Sequence, residues 1–175
     1  MSVWMKPGAI TLARMERLAS SLATLLVNPI RPAFAAEFRL KYATGQAVTH
    51  PVNVRAQEAI DRIREATSGR VDIKLFPANQ LGSDTDLLTQ VRNGSVEFFN
   101  LSSLILATFV PISGITSLGF AFKNYDEVWK AMDGALGSYM RGQIAAAGLS
   151  VMDNIWDNGF RQITSSTRPI ATPAD

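Results

Sequence analysis

Residues 71–94, VDIKLFPANQLGSDTDLLTQVRNG, hold the stretch that decides the fold. Residues 71–76 alternate apolar and polar side chains, which predicts a half-buried strand that Pro77 ends. A helix is predicted to follow, because Ser83 can cap it together with Asp86, three residues further on. Its buried side and its end are predicted to be formed by Leu87, Leu88, Val91, Asn93 and Gly94. A strand followed closely by a helix is the repeating unit of an α/β fold.

The same alternation extends upstream and downstream of this stretch. Residues 38–43 alternate as a first strand. Residues 51–67 place apolar side chains three and four residues apart, which is typical of an amphipathic helix, and Gly69 ends it. Residues 96–100 are predicted to form a short third strand. Together these elements predict an α/β fold with a largely parallel sheet.

The C-terminal part is predicted to add one long helix and two further strands. Asn124 and Glu127 form a capping pair for a helix that runs to about Gly142. The buried side of this helix is predicted to consist of Val128, Trp129, Met132, Leu136 and Tyr139. Residues 149–155 and 160–164 are predicted to be strands.

The excess of positive charge lies at the N-terminus of the chain. The sequence has 175 residues, 47% of them hydrophobic and 18% charged, which indicates a globular domain with a core of its own. Four of its 17 basic residues and one of its 15 acidic residues lie in residues 1–35, which leaves 13 basic against 14 acidic residues in the body. The body therefore has no basic excess that would favour nucleic acid as a partner.

Residues 1–35 have the order of a secretory signal peptide. Lys6, Arg14 and Arg17 form a positive start, residues 18–27 are uncharged and largely apolar, and a small-residue site ends at Ala35. Cleavage is expected after Ala35, which leaves residues 36–175 as the mature domain. The alternative is an amphipathic N-terminal helix that is retained. The chain has no cysteine, so neither a lipid anchor on a cysteine nor a disulfide is available.

A second uncharged stretch raises the question of a membrane span. Residues 98–122 carry no charged side chain and are long enough to cross a bilayer. Pro111, Gly114 and Gly119 interrupt them, however, and several Asn and Ser residues lie between. This pattern favours a strand, a short helix and a loop in a water-soluble core.

The sequence lacks the motifs of the common enzyme classes. It contains no phosphate-binding glycine loop, no dinucleotide-binding fingerprint and no nucleophile elbow. His50 is its only histidine, which excludes a metal site built on two histidines. Asp84 and Asp86 lie at a predicted helix start, where carboxylates favour the helix dipole. We therefore expect no catalytic residues, no metal and no cofactor.

A set of short phrases distributed along the chain resembles one protein family. The phrases are residues 67–71 (TSGRV), 76–82 (FPANQLG), 88–95 (LTQVRNGS), 120–122 (FAF), 125–129 (YDEVW) and 157–164 (DNGFRQIT), with Pro111 between them. In order and spacing they resemble the DctP-type substrate-binding proteins of TRAP (tripartite ATP-independent periplasmic) transporters. The resemblance extends from about Phe38 to Asp175.

The resemblance implies a fold, a function and a set of partners. The fold is the two-lobe periplasmic binding protein fold, of which residues 36–175 would form most of the first lobe and the crossover into the second. The family continues beyond the residue that matches Asp175, so we expect this chain to be truncated at its C-terminus. The implied function is periplasmic capture of a small organic anion by a monomer, which delivers it to the membrane subunits of a TRAP transporter.

Arg161 is the first candidate for ligand binding. It lies in the Asn-Gly-Phe-Arg-Gln phrase and matches a family arginine that reaches the anionic group of the ligand. A guanidinium offers a planar fork that fits a carboxylate. A structural ion pair is the alternative role for this side chain.

The remaining candidates follow strands or flank Arg161. Gln46 and His50 lie after the first strand, where the family's cleft begins, and α/β sheets bind ligands at such ends. His50 is also a candidate for an exposed residue near a helix cap. Asp84 is a cleft residue or a helix cap, and Ser102 follows the third strand, where some relatives carry an acidic ligand contact. Trp156 and Asn158 flank Arg161, and Trp156 is either a stacking surface for a ligand or a core residue.

Two other functions stay open at this point. One is a binding protein of another uptake system, such as one driven by ATP. The other is a secreted enzyme that acts on an organic acid through Arg161 and Asp84. The ligand is also open, because a C4-dicarboxylate, a 2-oxo acid, a sugar acid and an aromatic acid all present a carboxylate.

We predict that the exported protein starts near Ala36. The charge, the apolar run and the small-residue site of residues 1–35 all favour removal of the leader. Intact-mass spectrometry of the exported protein tests this. An exported chain that still carries residues 1–35 contradicts it.

Overall fold

The computed structural model describes residues 36–157, 159–160, 164–170 and 172. The leader and its cleavage site lie outside these residues. Along the chain the elements are β1 (Phe38–Thr44), α1 (Pro51–Ala66), β2 (Val71–Phe76), α2 (Asp84–Arg92), β3 (Phe98–Asn100), α3 (Ser103–Leu106), a 3-10 helix (Pro111–Ser117), α4 (Tyr125–Met132) and α5 (Ala135–Ala146). The alternation of strands and helices confirms the predicted α/β class.

The described strands form a parallel sheet in the order β2-β1-β3. Along β1, Phe38 to Ala43 pair with Val71 to Phe76, and Tyr42 to Thr44 pair with Phe98 to Asn100. The carboxyl ends of all three strands therefore lie at one edge, and α1 connects β1 to β2.

The third strand is two residues shorter than predicted, because side chains replace its first backbone contacts. The Lys41 backbone N–H donates to Glu97 Oε2 at 2.7 Å instead of to a strand carbonyl. The Lys41 ammonium donates to the Ser95 carbonyl at 2.9 Å. The side chain of Val96 is buried in a small cluster with Ala43 and Leu87.

Local signals predicted α1 and α2 correctly. In α2, Asp86 N–H donates to Ser83 Oγ at 3.4 Å, and Asp86 Oδ2 accepts from Ser83 N–H at 2.9 Å, which completes a capping box. Hydrogen bonds from the Ser83 hydroxyl and then from its backbone N–H hold the pKa of Asp86 below its ordinary value. Asn93 caps the far end of the helix, and Gly94 follows with a φ of +78°.

The single helix predicted for residues 124–142 is wrong: two helices, α4 and α5, occupy this region. The Asn124 cap is confirmed, since its Oδ1 accepts from Glu127 N–H at 3.0 Å. The break comes at Asp133 and Gly134, and a Cβ on Gly137 would overlap the carbonyl of Met132. Glycine thus permits a backbone approach that any other residue would block. Tyr139, predicted to be buried, is 56% exposed on α5.

The strand predicted for residues 149–155 does not form in the structure. A strand needs a neighbouring backbone edge, and this segment instead packs side chains on the main core. Ile155 and Trp156 are buried there, with Val151 packed against them. Arg141 Nη1 donates to the Asp153 carbonyl at 3.2 Å. Of the strand predicted for residues 160–164, residues 161–163 lie outside the described residues.

The uncharged residues 98–122 form β3, α3, the 3-10 helix and the connecting segments, as predicted. The buried side chains Leu101, Leu106 and Val110 join the main core cluster together with Val128 and Met132. Among the described residues, no helix combines the length and the apolar character that a bilayer span requires.

We predict that Gly137→Ala lowers the free energy of unfolding, whereas Gly142→Ala raises it. Overlap with a backbone carbonyl costs about 1–3 kcal/mol, and the Gly137 Cβ would meet that of Met132. Gly142 lies in the same helix with nothing near its Cβ position, so alanine there gains up to about 1 kcal/mol. Urea unfolding of both variants tests this. Equal shifts in the same direction contradict the close approach.

Candidate functional site

The carboxyl edge of the sheet gathers loops, helix starts and polar side chains. β1, β2 and β3 end at Thr44, Phe76 and Asn100, and a helix follows each strand. His50, Ser83 and Ser102 cap these helices. Open α/β sheets bind ligands beyond the carboxyl ends of their strands, so this edge is the candidate site.

The loop between β1 and α1 is held by a buried asparagine. Asn53, which is 1% exposed, donates from Nδ2 to the carbonyls of Gln46 at 2.9 Å and Ala47 at 2.7 Å. The Gln46 carbonyl also accepts from Ala78 N–H at 2.8 Å, which ties this loop to the loop after β2. Thr44 Oγ1 accepts from Gln46 N–H at 3.1 Å. These contacts fix the backbone of Gln46 and therefore the position from which its side chain extends.

The side chains of Asn79 and Asp84 lie against the end of β1. A Cβ on Gly45 would stand 2.8 Å from Asp84 Oδ1 and 3.0 Å from Asn79 Oδ1, so a side chain here would displace at least one of these oxygens. Ala78 and Asn79 both have positive φ values, of +52° and +57°. Such conformations cost energy in residues other than glycine and are frequent at binding sites. They bring the loop after β2 back onto β1, where Asn79 N–H donates to the Thr44 carbonyl at 3.2 Å.

Below this edge, a tyrosine supports the end of β3. Burial raises the pKa of Tyr42 above its ordinary value, and a hydrogen bond with the Asn100 side chain opposes part of that rise. The phenol therefore stays protonated in the physiological range and can hold the Asn100 side chain. Ser102 comes two residues later, and its Oγ accepts from Leu104 N–H at 3.4 Å at the start of α3.

A pocket of about 130 Å³ extends from Ser103 to Phe160. It is lined by Ser103, residues 116–122, Val128, Met132, Gly159 and Phe160. Inside it, Thr116 Oγ1 donates to Ser103 Oγ at 2.7 Å. Phe120 is 97% exposed at its rim. The pocket thus joins the carboxyl edge of the sheet to the segment that precedes Arg161.

The segment before Arg161 is anchored on the first turn of α4. The Phe160 ring lies 4.6 Å from the ring of Tyr125 between centroids. Desolvation, and then a hydrogen bond to Asp157 and its negative charge, raise the pKa of Tyr125. Asp157 Oδ1 also accepts from Gly159 N–H at 2.7 Å, which forms a tight turn. Arg161 and Asn158 themselves lie outside the described residues.

The structure brings four of the predicted residues to the same edge of the sheet. Gln46, His50, Asp84 and Ser102 all lie in loops or helix starts beyond the strand ends. His50 Nδ1 accepts from Val52 N–H at 3.3 Å, so its ring serves as a helix cap. Trp156 is 6% exposed in the main core cluster, which favours its alternative role as a core residue.

Sequence reasoning missed Gly45, Asn53 and Asn79. A signal for Asn53 was present, because it lies on the apolar stripe of α1 with Ala56, Ile60 and Ile63. A polar residue on such a stripe indicates a buried hydrogen bond. Nothing local indicated Gly45 or Asn79, since their proximity to Asp84 depends on how the loops meet.

Comparison with known proteins gives consistent matches. The family model described as "Bacterial extracellular solute-binding protein, family 7" (DctP) matches residues 42–175. The chain is 30% identical to the 2,3-diketo-L-gulonate-binding periplasmic protein YiaO of Escherichia coli K12, over 81% of this chain and 42% of the relative. It is 30% identical to the C4-dicarboxylate-binding protein DctB of Bacillus subtilis 168, over 77% and 38%.

A solved structure extends the similarity to the fold. The sugar acid binding protein DctPAm of Advenella mimigardefordensis, in complex with galactonate, has a TM-score of 0.70 and is 28% identical to this chain. The match covers 75% of this chain and 42% of that protein. The chain therefore spans less than half the length of these relatives.

We predict that Asn53→Ala lowers the free energy of unfolding by about 1–3 kcal/mol, because it removes two hydrogen bonds that are each worth about 0.5–1.5 kcal/mol. The Gln46 and Ala47 carbonyls would each lose a donor. Gln57→Ala on the same helix is the control, because the Gln57 side chain is exposed and donates to Asp61 on the helix surface. Its effect should stay within about 0.5 kcal/mol. If chemical unfolding finds the two variants alike, Asn53 does not hold the loop.

Proposed function

Because the chain belongs to family 7 of the bacterial extracellular solute-binding proteins, we propose that it is part of a periplasmic protein that captures a small organic acid for a TRAP transporter. The observation that carries this proposal is the family match over residues 42–175. It coincides with a parallel sheet whose carboxyl edge presents polar side chains. Delivery to the membrane subunits follows from the role of such proteins as the capturing component.

The proposed protein has two lobes, and residues 36–175 supply most of the first lobe and the crossover into the second. The ligand would lie in the cleft between the lobes, at the carboxyl edge of β1, β2 and β3. Closure would be a hinge motion that the ligand stabilises through contacts it makes only in the closed state. We call the protein that includes the second lobe the full-length protein.

Arg161 is the proposed clamp on the ligand carboxylate. It directly follows Phe160, which lines the pocket beside Ser103. The Asp157 turn and the ring contact between Tyr125 and Phe160 support the segment that leads to it. A guanidinium can form two parallel hydrogen bonds with one carboxylate, which fixes both position and orientation.

Side chains of the first lobe would contact the rest of the ligand. Gln46 and Asp84 are half-buried, and neither side chain bonds to another group among the described residues. Ser102, at the start of α3, and Asn158, next to the clamp, are further candidates. His50 is already a helix cap through Nδ1, which leaves Nε2–H as its donor.

The class of ligand follows from what the relatives share. One relative is named for 2,3-diketo-L-gulonate, another for C4-dicarboxylates, and the solved neighbour holds galactonate. All of these are small acids with a carboxylate, and family members are solute-binding proteins rather than enzymes. We therefore infer binding of such an acid without chemical conversion.

The proposal is tested by a thermal-shift screen of organic acids on the full-length protein. A true ligand at 100 times its Kd stabilises the folded state by about 2.7 kcal/mol, so its melting temperature should rise. Chromatography of each acid after incubation shows whether it is converted. Turnover, or a screen without any shift, contradicts the proposed function.

We predict that Arg161→Ala weakens binding of the acid found in that screen by roughly 2–5 kcal/mol, because one partner of a desolvated charge pair is lost. Arg161→Lys should recover only part of the affinity, since an ammonium lacks the planar fork. Calorimetry measures the affinity, and the melting temperature without ligand serves as the control for folding. An Ala variant that is unstable but binds normally would assign Arg161 to a structural ion pair instead.

A further inference from the structure

We infer that an exposed apolar patch is the surface on which the part of the full-length protein beyond residue 175 docks. The patch, called the Phe120 patch below, consists of Leu118, Phe120 and Phe160, which line the pocket, and of Tyr125, whose ring contacts that of Phe160. This inference rests on the proposed function only in that a second lobe follows residue 175. The ligand has no role in it.

Large apolar side chains are exposed next to one another in the Phe120 patch. Phe120 is 97% exposed and Leu118 is 61% exposed, and the rings of Phe160 and Tyr125 are exposed as well. A single exposed apolar side chain is normal on a protein surface, whereas a contiguous group of them marks an interaction site. The patch therefore calls for a partner that covers it.

The backbone at Phe120 points to the same conclusion. Phe120 has a φ of +61°, in the left-handed region that a bulky residue rarely adopts. Such a conformation costs energy and persists where surrounding contacts determine it. The described residues leave the Phe120 ring almost fully exposed, so they do not supply these contacts. A partner that covers the ring would offset the cost.

The pocket beside Phe120 suits a neutral, apolar occupant. None of the described residues that line it carries a charge, so a carboxylate that entered it would lose water without gaining a cation. Its walls are mainly apolar, and the hydroxyls of Ser103, Thr116 and Ser117 lie among them. Aromatic side chains without charges are typical of the centre of a protein–protein interface. An apolar side chain of a protein segment fits this pocket better than the acid ligand does.

The length of the relatives identifies that segment. The match to the galactonate-binding protein covers 75% of this chain but 42% of that protein, so more than half of a protein of that size lies outside the matched part. Interfaces between domains of one chain bury roughly 600–1,500 Å², and the first lobe must supply one side of such an interface. The Phe120 patch includes Phe160, on the segment that leads towards residue 175. A lobe tethered shortly after that segment reaches the patch at a high effective concentration.

Thiol labelling of the full-length protein without ligand tests whether the patch is covered. Leu118→Cys and Phe120→Cys place a thiol in the patch, and Gln57→Cys places one on the exposed side of α1 as the matched control. Mass spectrometry of the peptide that holds the new thiol gives each labelling rate, relative to the same variant in urea. We expect the patch thiols to react at least about tenfold more slowly than the control, because a covered thiol reacts only during local opening. A patch variant that is folded by circular dichroism and reacts as fast as the control overturns the inference.

A photo-crosslink identifies what covers the patch. Phe120 is replaced in the full-length protein by p-benzoyl-L-phenylalanine, which keeps an aromatic ring at this position, and the irradiated protein is digested for mass spectrometry. We expect the cross-linked peptide to belong to the same chain and to lie beyond residue 175. A product of twice the mass assigns the patch to a second copy, and a cross-link within residues 1–175 assigns it to this part of the chain. Either result overturns the inference.

The inference and the proposed function fail separately in these measurements. Both measurements are made without ligand, so they do not depend on which acid the protein binds. A covered patch in a protein that binds no acid supports the inference and overturns the proposed function. An uncovered patch in a protein that binds an acid overturns the inference alone, as does a patch that becomes protected only when the acid is added.

Discussion

The position of β1 between β2 and β3 is the constraint on which the rest of the structure depends. Parallel neighbours cannot be joined by a short turn, so α1 and α2 must each lie between consecutive strands. All three carboxyl ends consequently meet at one edge, and each is followed by the start of a helix. Because all three strands are parallel, the loops that follow them lie at the same edge of the sheet, and these loops form the candidate site.

Several locally unfavourable features at that edge are explained by this convergence. Ala78 and Asn79 adopt left-handed conformations, and Gly45 is crowded by two side-chain oxygens. Asn53 compensates by donating to two carbonyls of the β1–α1 loop. Packing in the main core cluster stabilises the fold, and this stability offsets the energetic cost of the strained residues at the edge.

Asp84 and Asp86 lie in the first turn of α2 but have different surroundings. The Asp86 carboxylate forms the capping box with Ser83, which stabilises the start of α2. Asp84 lies in the same first turn, where its carboxylate favours the helix dipole, and it places Oδ1 near Gly45 at the end of β1.

Short-range signals in the sequence determined β1, α1, β2 and α2, because strand alternation, helical spacing and caps act within a few residues. They also indicated Gln46, His50, Asp84 and Ser102 as residues beyond strand ends. The break at Gly134, the exposure of Tyr139 and the non-strand conformation of residues 149–155 were decided by tertiary structure. So was the meeting of Gly45, Asn79 and Asp84. These features depend on which backbones approach each other, and no local pattern encodes the distance between residues that only folding brings together.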